Sequence, residues 1–390
     1  MKGISELQEK VQKCTRCGNC QYYCPSYTVS RMETHVARGR LQLIRKNLES
    51  GNDASEVFAK RLSQCLLCGN CSQNCPAGIR IEEVVEDMRE LCVNRQGPQP
   101  AMAMTAKNIG SAGNITGDSR EHRLLWFHNM DMSSLSGGSI KVDKPAEYVY
   151  FAGCVPTLYP SSYSIPQTFA ALITKAGLDW SILGEKENCC SYPLVIGGMK
   201  EASAKTVKEI AEENVRNITA LGAKNVVTTC PSCYHVWKDI YPQILGYTPD
   251  FKILHGIQLL AKLVREGAFK FKETACTVTY HDPCDLGRKS GIYDEPREIL
   301  RSIPGVKLVE MRFIRENSIC CGGGGNLEMN DSVLSGKVAQ LRITQALDTK
   351  ADIVVSCCQQ CKRTLSGGAR QKRARIKIMD LSEFIINAIE

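Results

Sequence analysis

The sequence predicts an α/β protein built from an α-helical module at its amino end followed by two repeated domains with short parallel sheets. Three observations lead there. A run of cysteines with one fixed spacing occurs twice before Ala77, and the residues between the runs carry apolar side chains at helical intervals. From Tyr148 onward the chain repeats itself with a period of about 125 residues. Within each repeat, short β-branched runs alternate with helical stretches, as the strands and crossover helices of a parallel sheet do. The expected boundaries are 1–96 for the helical module, 97–144 for a linker, 145–268 for the first repeat and 269–390 for the second.

In the first module the cysteine run is CxxCxxCxxxCP, as Cys14, Cys17, Cys20, Cys24 with Pro25, and again as Cys65, Cys68, Cys71, Cys75 with Pro76. Three thiolates two residues apart on a tight loop reach three irons of one 4Fe-4S cube, so the fourth ligand comes from elsewhere. In two-cluster ferredoxins the last cysteine of each run crosses to the other cluster. On that pattern Cys14, Cys17, Cys20 and Cys75 hold one cube, and Cys65, Cys68, Cys71 and Cys24 the second. Gly18 and Gly69 occupy the same place in each run, where a missing Cβ lets the backbone approach the inorganic sulfides. The proline after each fourth cysteine turns the chain out of the loop. Structural zinc is the alternative, and it wants four thiolates in one local set. Between the runs, Val36, Leu41, Leu43, Ile44 and Leu48 mark a helix, and a further amphipathic helix is expected over roughly 81–92.

The segment 97–144 is rich in Gly, Pro, Ser and Met and reads as a linker. Within it Leu124, Leu125, Trp126, Phe127, Met130 and Met132 form an apolar knot, expected to pack on the chain's own domains or to seat a partner or membrane surface.

The two repeats correspond piece by piece. YVYFAGC at Tyr148–Cys154 answers to VTYHDPC at Val278–Cys284, and Asn188-Cys189-Cys190 to Ile319-Cys320-Cys321. AKNVVTTCPSC at Ala223–Cys233 matches ADIVVSCCQQC at Ala351–Cys361. Phe251–Leu254 and Ile376–Met379 are each followed by an apolar helix. Each half therefore supplies five cysteines in the order single, pair, CxxC: Cys154, Cys189, Cys190, Cys230, Cys233, then Cys284, Cys320, Cys321, Cys358, Cys361. They follow directly upon strands, and parallel sheets place ligands beyond the carboxyl ends of their strands. A cysteine pair in a turn can offer two ligands to different irons of one larger cluster. The glycines Gly322 to Gly325 would let the backbone fold over the sulfides, whereas the first half reads Ser191-Tyr192-Pro193 there. A zinc site in one half beside an ordinary cube in the other is the alternative, although five soft ligands exceed zinc's usual four. Cys92, Cys276 and Cys357 read as small apolar side chains, with Cys357 placed to substitute for Cys358. His281, Asp282 and His235, close to these cysteines, are candidate proton donors or structural hydrogen-bonding groups.

With these motifs the chain resembles the CCG-domain iron-sulfur proteins. That family includes the B and D polypeptides of heterodisulfide reductase, the glycolate oxidase iron-sulfur subunit, the iron-sulfur subunit of anaerobic glycerol-3-phosphate dehydrogenase and lactate-utilisation proteins. The resemblance covers the dicluster module, the linker and both repeats. It implies that the ten repeat cysteines bind two noncubane 4Fe-4S clusters of the kind that cleave disulfides in heterodisulfide reductases. Both CxxC elements are intact, as Cys230-Pro-Ser-Cys233 and Cys358-Gln-Gln-Cys361, which points toward the D polypeptide of heterodisulfide reductase.

Composition sets limits on the remaining possibilities. The length of 390 residues suits two or three domains, and no stretch approaches the roughly 20 apolar residues of a membrane span. The opening MKGISELQEKVQKC has charges throughout and no apolar core of a secretory signal. Twenty-one cysteines without a secretory signal read as metal-binding in a reducing cytoplasm, with a place at the inner face of a membrane through a partner left open. The net charge of +8 is modest, and its densest basic run, Arg370, Lys372, Arg373, Arg375 and Lys377, reads as a solvated face or a docking patch. No zinc-finger, RNP or basic-helix motif accompanies it, so nucleic-acid binding is not expected. No GxGxxG after a strand and no GxxxxGK[ST] loop is present, so flavin or nicotinamide chemistry belongs to another polypeptide.

Two functions remain. One is a disulfide-reducing subunit like the heterodisulfide reductase D polypeptide, with each substrate sulfur held at an open iron and a membrane cytochrome b or ferredoxin as electron donor. The other is a relay subunit of a flavoprotein glycolate or lactate dehydrogenase, passing electrons to quinone or an electron-transfer protein. A metal-stabilised scaffold has no need for a chain of cluster sites. Lys13 and Arg16, beside the first run, would favour docking of a donor protein.

Overall fold

The computed structural model describes residues 4–51, 55–135 and 140–390, apart from the side chains of Met132 and Ser134. The amino-terminal part is all helix. Ile4–Gln12, Ala37–Ser50, Glu56–Ser63 and Ile81–Gln96 pack around Leu7, Val11, Leu41, Ile44, Leu62, Val84 and Met88, all nearly free of solvent contact. Of the expected helical stripe, Val36, Leu41 and Ile44 are buried, while Leu43 and Leu48 lie half-buried at its edge.

Two parallel sheets follow. The first contains β1 (Lys141–Val142), β2 (Tyr148–Tyr150), β3 (Trp180–Ile182), β4 (Asn225–Thr228) and β5 (Lys252–His255) in the order β1-β3-β2-β4-β5. The second contains β6 (Cys276–His281), β7 (Val306–Leu308), β8 (Ile353–Ser356) and β9 (Lys377–Asp380) in the order β7-β6-β8-β9. Apart from β1, the orders are the same. In both, the central strand pair has equivalent register, Tyr150 opposite Val227 and Tyr280 opposite Val355. β3 and β4 are buried along their whole length, which is why such strands read as continuous rather than alternating apolar runs. One core joins the two halves: Tyr150, Phe169 and Ile173 pool with Tyr280, Phe384 and Ile385, and helix Ser164–Lys175 lies against helix Leu381–Ala388.

The segment expected as a linker has more structure than that reading implies. It contains the helix Pro100–Ala112, the short turns Arg120–Leu124 and Leu125–His128, and β1, which extends the first sheet. Most of the apolar knot packs inward, with Leu124 and Phe127 half-buried and Leu125 left exposed. Trp126 is 1% exposed, stacks edge-on to Tyr150 and has its carbonyl bound by Gln167, and Met130 joins the same core. The side chain of Met132 lies outside the described residues. Arg370, Lys372, Arg373, Arg375 and Lys377 are exposed, as a solvated face requires. Among the described residues, no helix is long and apolar enough to cross a membrane.

Candidate iron-sulfur sites

The two ferredoxin-type loops share one backbone design. Arg16 and Gly18 in the first, and Leu67 and Gly69 in the second, have positive φ on either side of the second cysteine. Gly18 and Gly69 then cap the short helices Asn19–Tyr23 and Asn70–Gln73, which carry Cys20 and Cys71. This alternation curls each loop around a concavity. Cys14, Cys17 and Cys20 line one, completed by Cys75, and Cys65, Cys68 and Cys71 line the other, completed by Cys24. Chain crossing at short range makes this possible: the helices that follow Gly18 and Gly69 pack on each other, and Asn19 donates to the Asn74 carbonyl at 2.6 Å.

Burial pushes the Cys20, Cys24 and Cys68 thiols up to about 11, and Cys71 further, with neighbouring sulfurs adding to the effect. Soft donors gathered in this way fit a cationic centre, which reverses the burial penalty. Cys17 is exposed, so the first concavity opens at the surface beside exposed Lys13 and Arg16.

In each sheet domain the cysteines emerge from carboxyl-terminal strand ends. Cys154 follows β2, Cys189 and Cys190 lie in the loop after β3, and Cys230 and Cys233 follow β4. Cys284, Cys320, Cys321, Cys358 and Cys361 repeat this after β6, β7 and β8. The thiols form two equivalent chains of contact, Cys154–Cys189–Cys190–Cys233–Cys230 and Cys284–Cys320–Cys321–Cys361–Cys358. The middle sulfur of each chain receives hydrogen bonds from both sides, which lowers Cys190 and Cys321 to about 6. All twenty-one cysteines are free thiols. Ten converging, reduced sulfurs in two like sets suit iron-sulfur ligation better than disulfide bonding. The glycine missing from the first half is replaced conformationally: Ser191 takes φ +66° where Gly322 takes φ +100°.

The two sets face one cavity of about 300 Å³, with Cys154, Cys189, Cys190, Cys230 and Cys233 on one side and Cys284, Cys321, Cys358 and Cys361 on the other. Cys320 does not line it and packs in one cluster with Cys68 and Leu66 of the ferredoxin-type loop. That junction is tight. A Cβ on Gly324 or Gly325 would stand 2.6 Å from the Leu66 carbonyl oxygen and 2.3 Å from that of Cys65. Arg288 bridges it, donating from Nε to the Cys68 carbonyl at 2.5 Å and from Nη1 to the Ser318 carbonyl at 2.8 Å.

Several residues with no motif to announce them shape the sites. Arg123, from the expected linker, is 1% exposed, pairs with Glu187 at 2.9 Å and donates to Cys154 Sγ at 3.3 Å. Glu187 in turn accepts from the Ala152 and Gly153 amides, which positions the loop before Cys154. Tyr192, Ser232 and Asp285 line the cavity; behind them Lys289 donates to Tyr192 Oη at 2.7 Å and pairs with Asp285 at 3.4 Å, while Ser232 donates to Asp285. Arg363 stacks over Tyr159 at 4.1 Å and pairs with Glu328.

Two of the three candidate proton donors are held by other partners. Asp282 is held by both Nη atoms of Arg297 at 2.7 and 2.9 Å, and His235 Nδ1 meets Asp239 at 2.8 Å. Burial and the Arg342 charge hold His281 well below the usual imidazole range. Cys92 and Cys357 are buried and Cys276 half-buried, outside the thiol chains.

The 4Fe-4S dicluster domain family matches residues 10–79, and the cysteine-rich CCG domain matches residues 148–238 and 278–366. The D polypeptide of the Methanosarcina mazei dihydromethanophenazine:CoB–CoM heterodisulfide reductase is 32% identical over all of this chain and 96% of its own length. The probable iron-sulfur-binding oxidoreductase FadF of Bacillus subtilis is 31% identical over 85% of this chain and 47% of its own. The EtfAB:quinone oxidoreductase of Syntrophomonas wolfei is 26% identical over 97% of this chain and 58% of its own. A crystal structure of a hypothetical protein from Helicobacter pylori superposes over the whole chain and 72% of its own with a TM-score of 0.59 at 11% identity, a likeness of fold alone. With a dicluster module and two CCG domains in the order shared with a full-length relative, the chain belongs to the CCG-domain iron-sulfur oxidoreductases, among the relatives of the heterodisulfide reductase D polypeptide.

Proposed function

We propose that this chain is the iron-sulfur subunit of a disulfide-reducing complex, in which electrons enter at the exposed Cys17 rim and end in the cavity between the two CCG domains. The observation that carries this is the cavity itself. Nine of the ten CCG-domain cysteines line one space of about 300 Å³, so clusters held there from both domains would stand side by side around a single substrate, whereas a relay needs them only in sequence. In this reading Cys14, Cys17, Cys20 and Cys75 hold one 4Fe-4S cube and Cys24, Cys65, Cys68 and Cys71 a second. Cys154, Cys189, Cys190, Cys230 and Cys233 hold one noncubane cluster, and Cys284, Cys320, Cys321, Cys358 and Cys361 another. The functional units are then 1–96, 145–268 and 269–390, with 97–144 packed on the first CCG domain.

Clusters at these sites, when bound, supply the two one-electron transfers that a disulfide needs to become two thiols, with two protons taken up. The chain's own residues order and prepare that chemistry. Cys68 lies closest in electrostatic reach to Cys284 and Cys320, so the second CCG set is the one fed from the helical module. The Gly324–Gly325 backbone, packed on Leu66 and Cys65, excludes water from this junction. Behind the cavity wall the Lys289 cation holds Asp285 and Tyr192, which line the cavity, in place and offsets the Asp285 charge.

The test incubates the anaerobically prepared, cluster-loaded chain with reduced viologen and a panel of disulfides while viologen reoxidation is followed. Turnover supports the reading; a fully loaded chain that reoxidises viologen with none of them refutes it. The relatives named as EtfAB:quinone oxidoreductase and FadF favour a second reading, a relay from a flavoprotein partner, such as a glycolate or lactate dehydrogenase, toward quinone. Rapid reduction of the loaded chain by such a flavoprotein, without disulfide turnover, would select it. In either case the partner, a flavoprotein, a cytochrome b or an electron-transfer protein, docks near Lys13 and Arg16. Peripheral membrane attachment in a cytoplasmic setting then comes through that partner.

A further inference from the structure

The two CCG domains are equivalent in their sulfurs and differ in what stands behind them. His281, the last residue of β6, occupies the place that Phe151 holds after β2. Phe151 is fully buried and stacks edge-on to Trp237 with 5.4 Å between ring centroids. His281 is also buried, at 1% exposure, but a ring nitrogen of it and the Sγ atoms of Cys321 and Cys361 all lie within 4.8 Å of one another.

Its protonation pattern is settled by its neighbour. Arg342 Nε donates to His281 Nδ1 at 3.1 Å, and a guanidinium has only donors, so Nδ1 is the acceptor. Arg342 is itself fixed by the Phe313 carbonyl and Gln345. A neutral ring whose Nδ1 accepts carries its proton on Nε2. That Nε2 has no hydrogen-bond partner and is out of contact with solvent. A buried N–H left without a partner costs about 1–3 kcal/mol, so it is retained where something else receives it.

We propose that His281 Nε2–H donates to the thiolate pair Cys321 and Cys361 when the second CCG site is loaded, and so raises the reduction potential of that site alone. A donor to cluster sulfur withdraws negative charge and favours the reduced, more anionic state. Phe151 has no proton to offer, and the first site instead has the Arg123 contact to Cys154. The equal ligand sets thus become electronically unequal. The proposal rests on the ten cysteines holding clusters, but not on the identity of the substrate.

The test is an anaerobic redox titration of the full-length, cluster-loaded chain followed by paramagnetic resonance, with iron content measured in parallel. Cys321→Ser identifies which signal belongs to the second site. His281→Phe copies the first half, and His281→Gln keeps an N–H donor. The expected result is that Phe shifts the one-electron equilibrium of that signal about tenfold, or about 59 mV downward, leaving the other midpoints in place, while Gln holds near wild type. Unchanged midpoints in a loaded His281→Phe chain overturn the proposal, as does an equal drop in both variants. Loss of one site's iron in both variants overturns it too, by making His281 a ligand. Should Phe fail to load, Gln decides, since a lowered midpoint there refutes donation and a wild-type midpoint upholds it. An iron-poor wild-type chain would instead sink the assignment of the cysteines.

Discussion

Arg89→Met is expected to loosen the joint on which the whole arrangement turns. Arg89 lies on the helix Ile81–Gln96, is 5% exposed, and donates to the carbonyls of Leu62, Ser63, Cys65, Ile196 and Gly325 at 2.8–3.2 Å. Those five carbonyls belong to the helical module and to both CCG domains. No carboxylate pairs with the guanidinium in these contacts, and burial pulls it down to about 10. That fall from the usual guanidinium range corresponds to about 3 kcal/mol of desolvation, which methionine would relieve. Against it stand four carbonyls left without donors, since that of Leu62 still accepts from the Cys65 amide; at about 1 kcal/mol each at the low end, a net loss of about 1 kcal/mol is expected. Methionine fills much of the same volume, which keeps a cavity term small. The assay is anaerobic urea unfolding of the loaded chain, followed by far-UV circular dichroism and visible absorption. Iron should be lost first from the set containing Cys65, whose carbonyl Arg89 holds. A midpoint equal to or above wild type would refute the reasoning, because it would mean that burying the charge costs more than its five acceptors return.

Other perturbations follow from the same geometry. Cys65→Ser should remove or convert one ferredoxin-type cluster and leave the CCG spectrum intact, whereas Cys321→Ser should disturb the second CCG site alone; iron analysis with paramagnetic resonance reads both, and loss from the other module would contradict the assignment. Ser191→Gly should stabilise by about 0.5–1 kcal/mol, since Ser191 sits at φ +66° with its hydroxyl unpartnered. Gly322→Ala, which sets a Cβ 2.5 Å from the Ser335 carbonyl oxygen, should cost over about 2 kcal/mol and empty one CCG site, as denaturant midpoints and iron content will report. His255 caps the helix Gly256–Arg265 by accepting from the Ile257 amide, and burial holds it at about 3, below the unfolded 6.5. The folded state therefore binds fewer protons between those values. Its contribution is complete above about pH 6.5 and is lost as pH falls, by about 1.4 kcal/mol per unit. His255→Asn keeps a capping side chain and should flatten that slope in unfolding measurements at pH 7 and 5.5; parallel slopes would count against it.

Much of the architecture is legible in the chain. The cysteine runs are visible because cluster ligation demands fixed local spacing, and the strands because Val226-Val227-Thr228 and Ile353-Val354-Val355 are β-branched runs bounded by helical periods. The helix expected over 81–92 extends to Gln96. The segment 97–144 passes for a linker because its contributions are tertiary. A two-residue strand has no periodicity of its own, and Arg123 is recognisable only once Glu187 and Cys154 stand beside it. Nor does composition reveal that Ser191 adopts the left-handed conformation of Gly322, since its cost is offset by packing elsewhere in the fold.

The kind of chemistry is written along the chain, because eighteen soft ligands in doubled and repeated spacings leave little besides iron and sulfur, and local spacing is a covalent property. The duplicated parallel sheets are written there too. Folding in three dimensions was needed to show that the two CCG domains share one core, that their sulfurs face a common cavity, that the helical module abuts the second set, and that the surroundings of His281 and Arg123 differ between the two sets. These features depend on side chains far apart along the chain meeting through burial, and burial is a property of the packed whole that no spacing encodes.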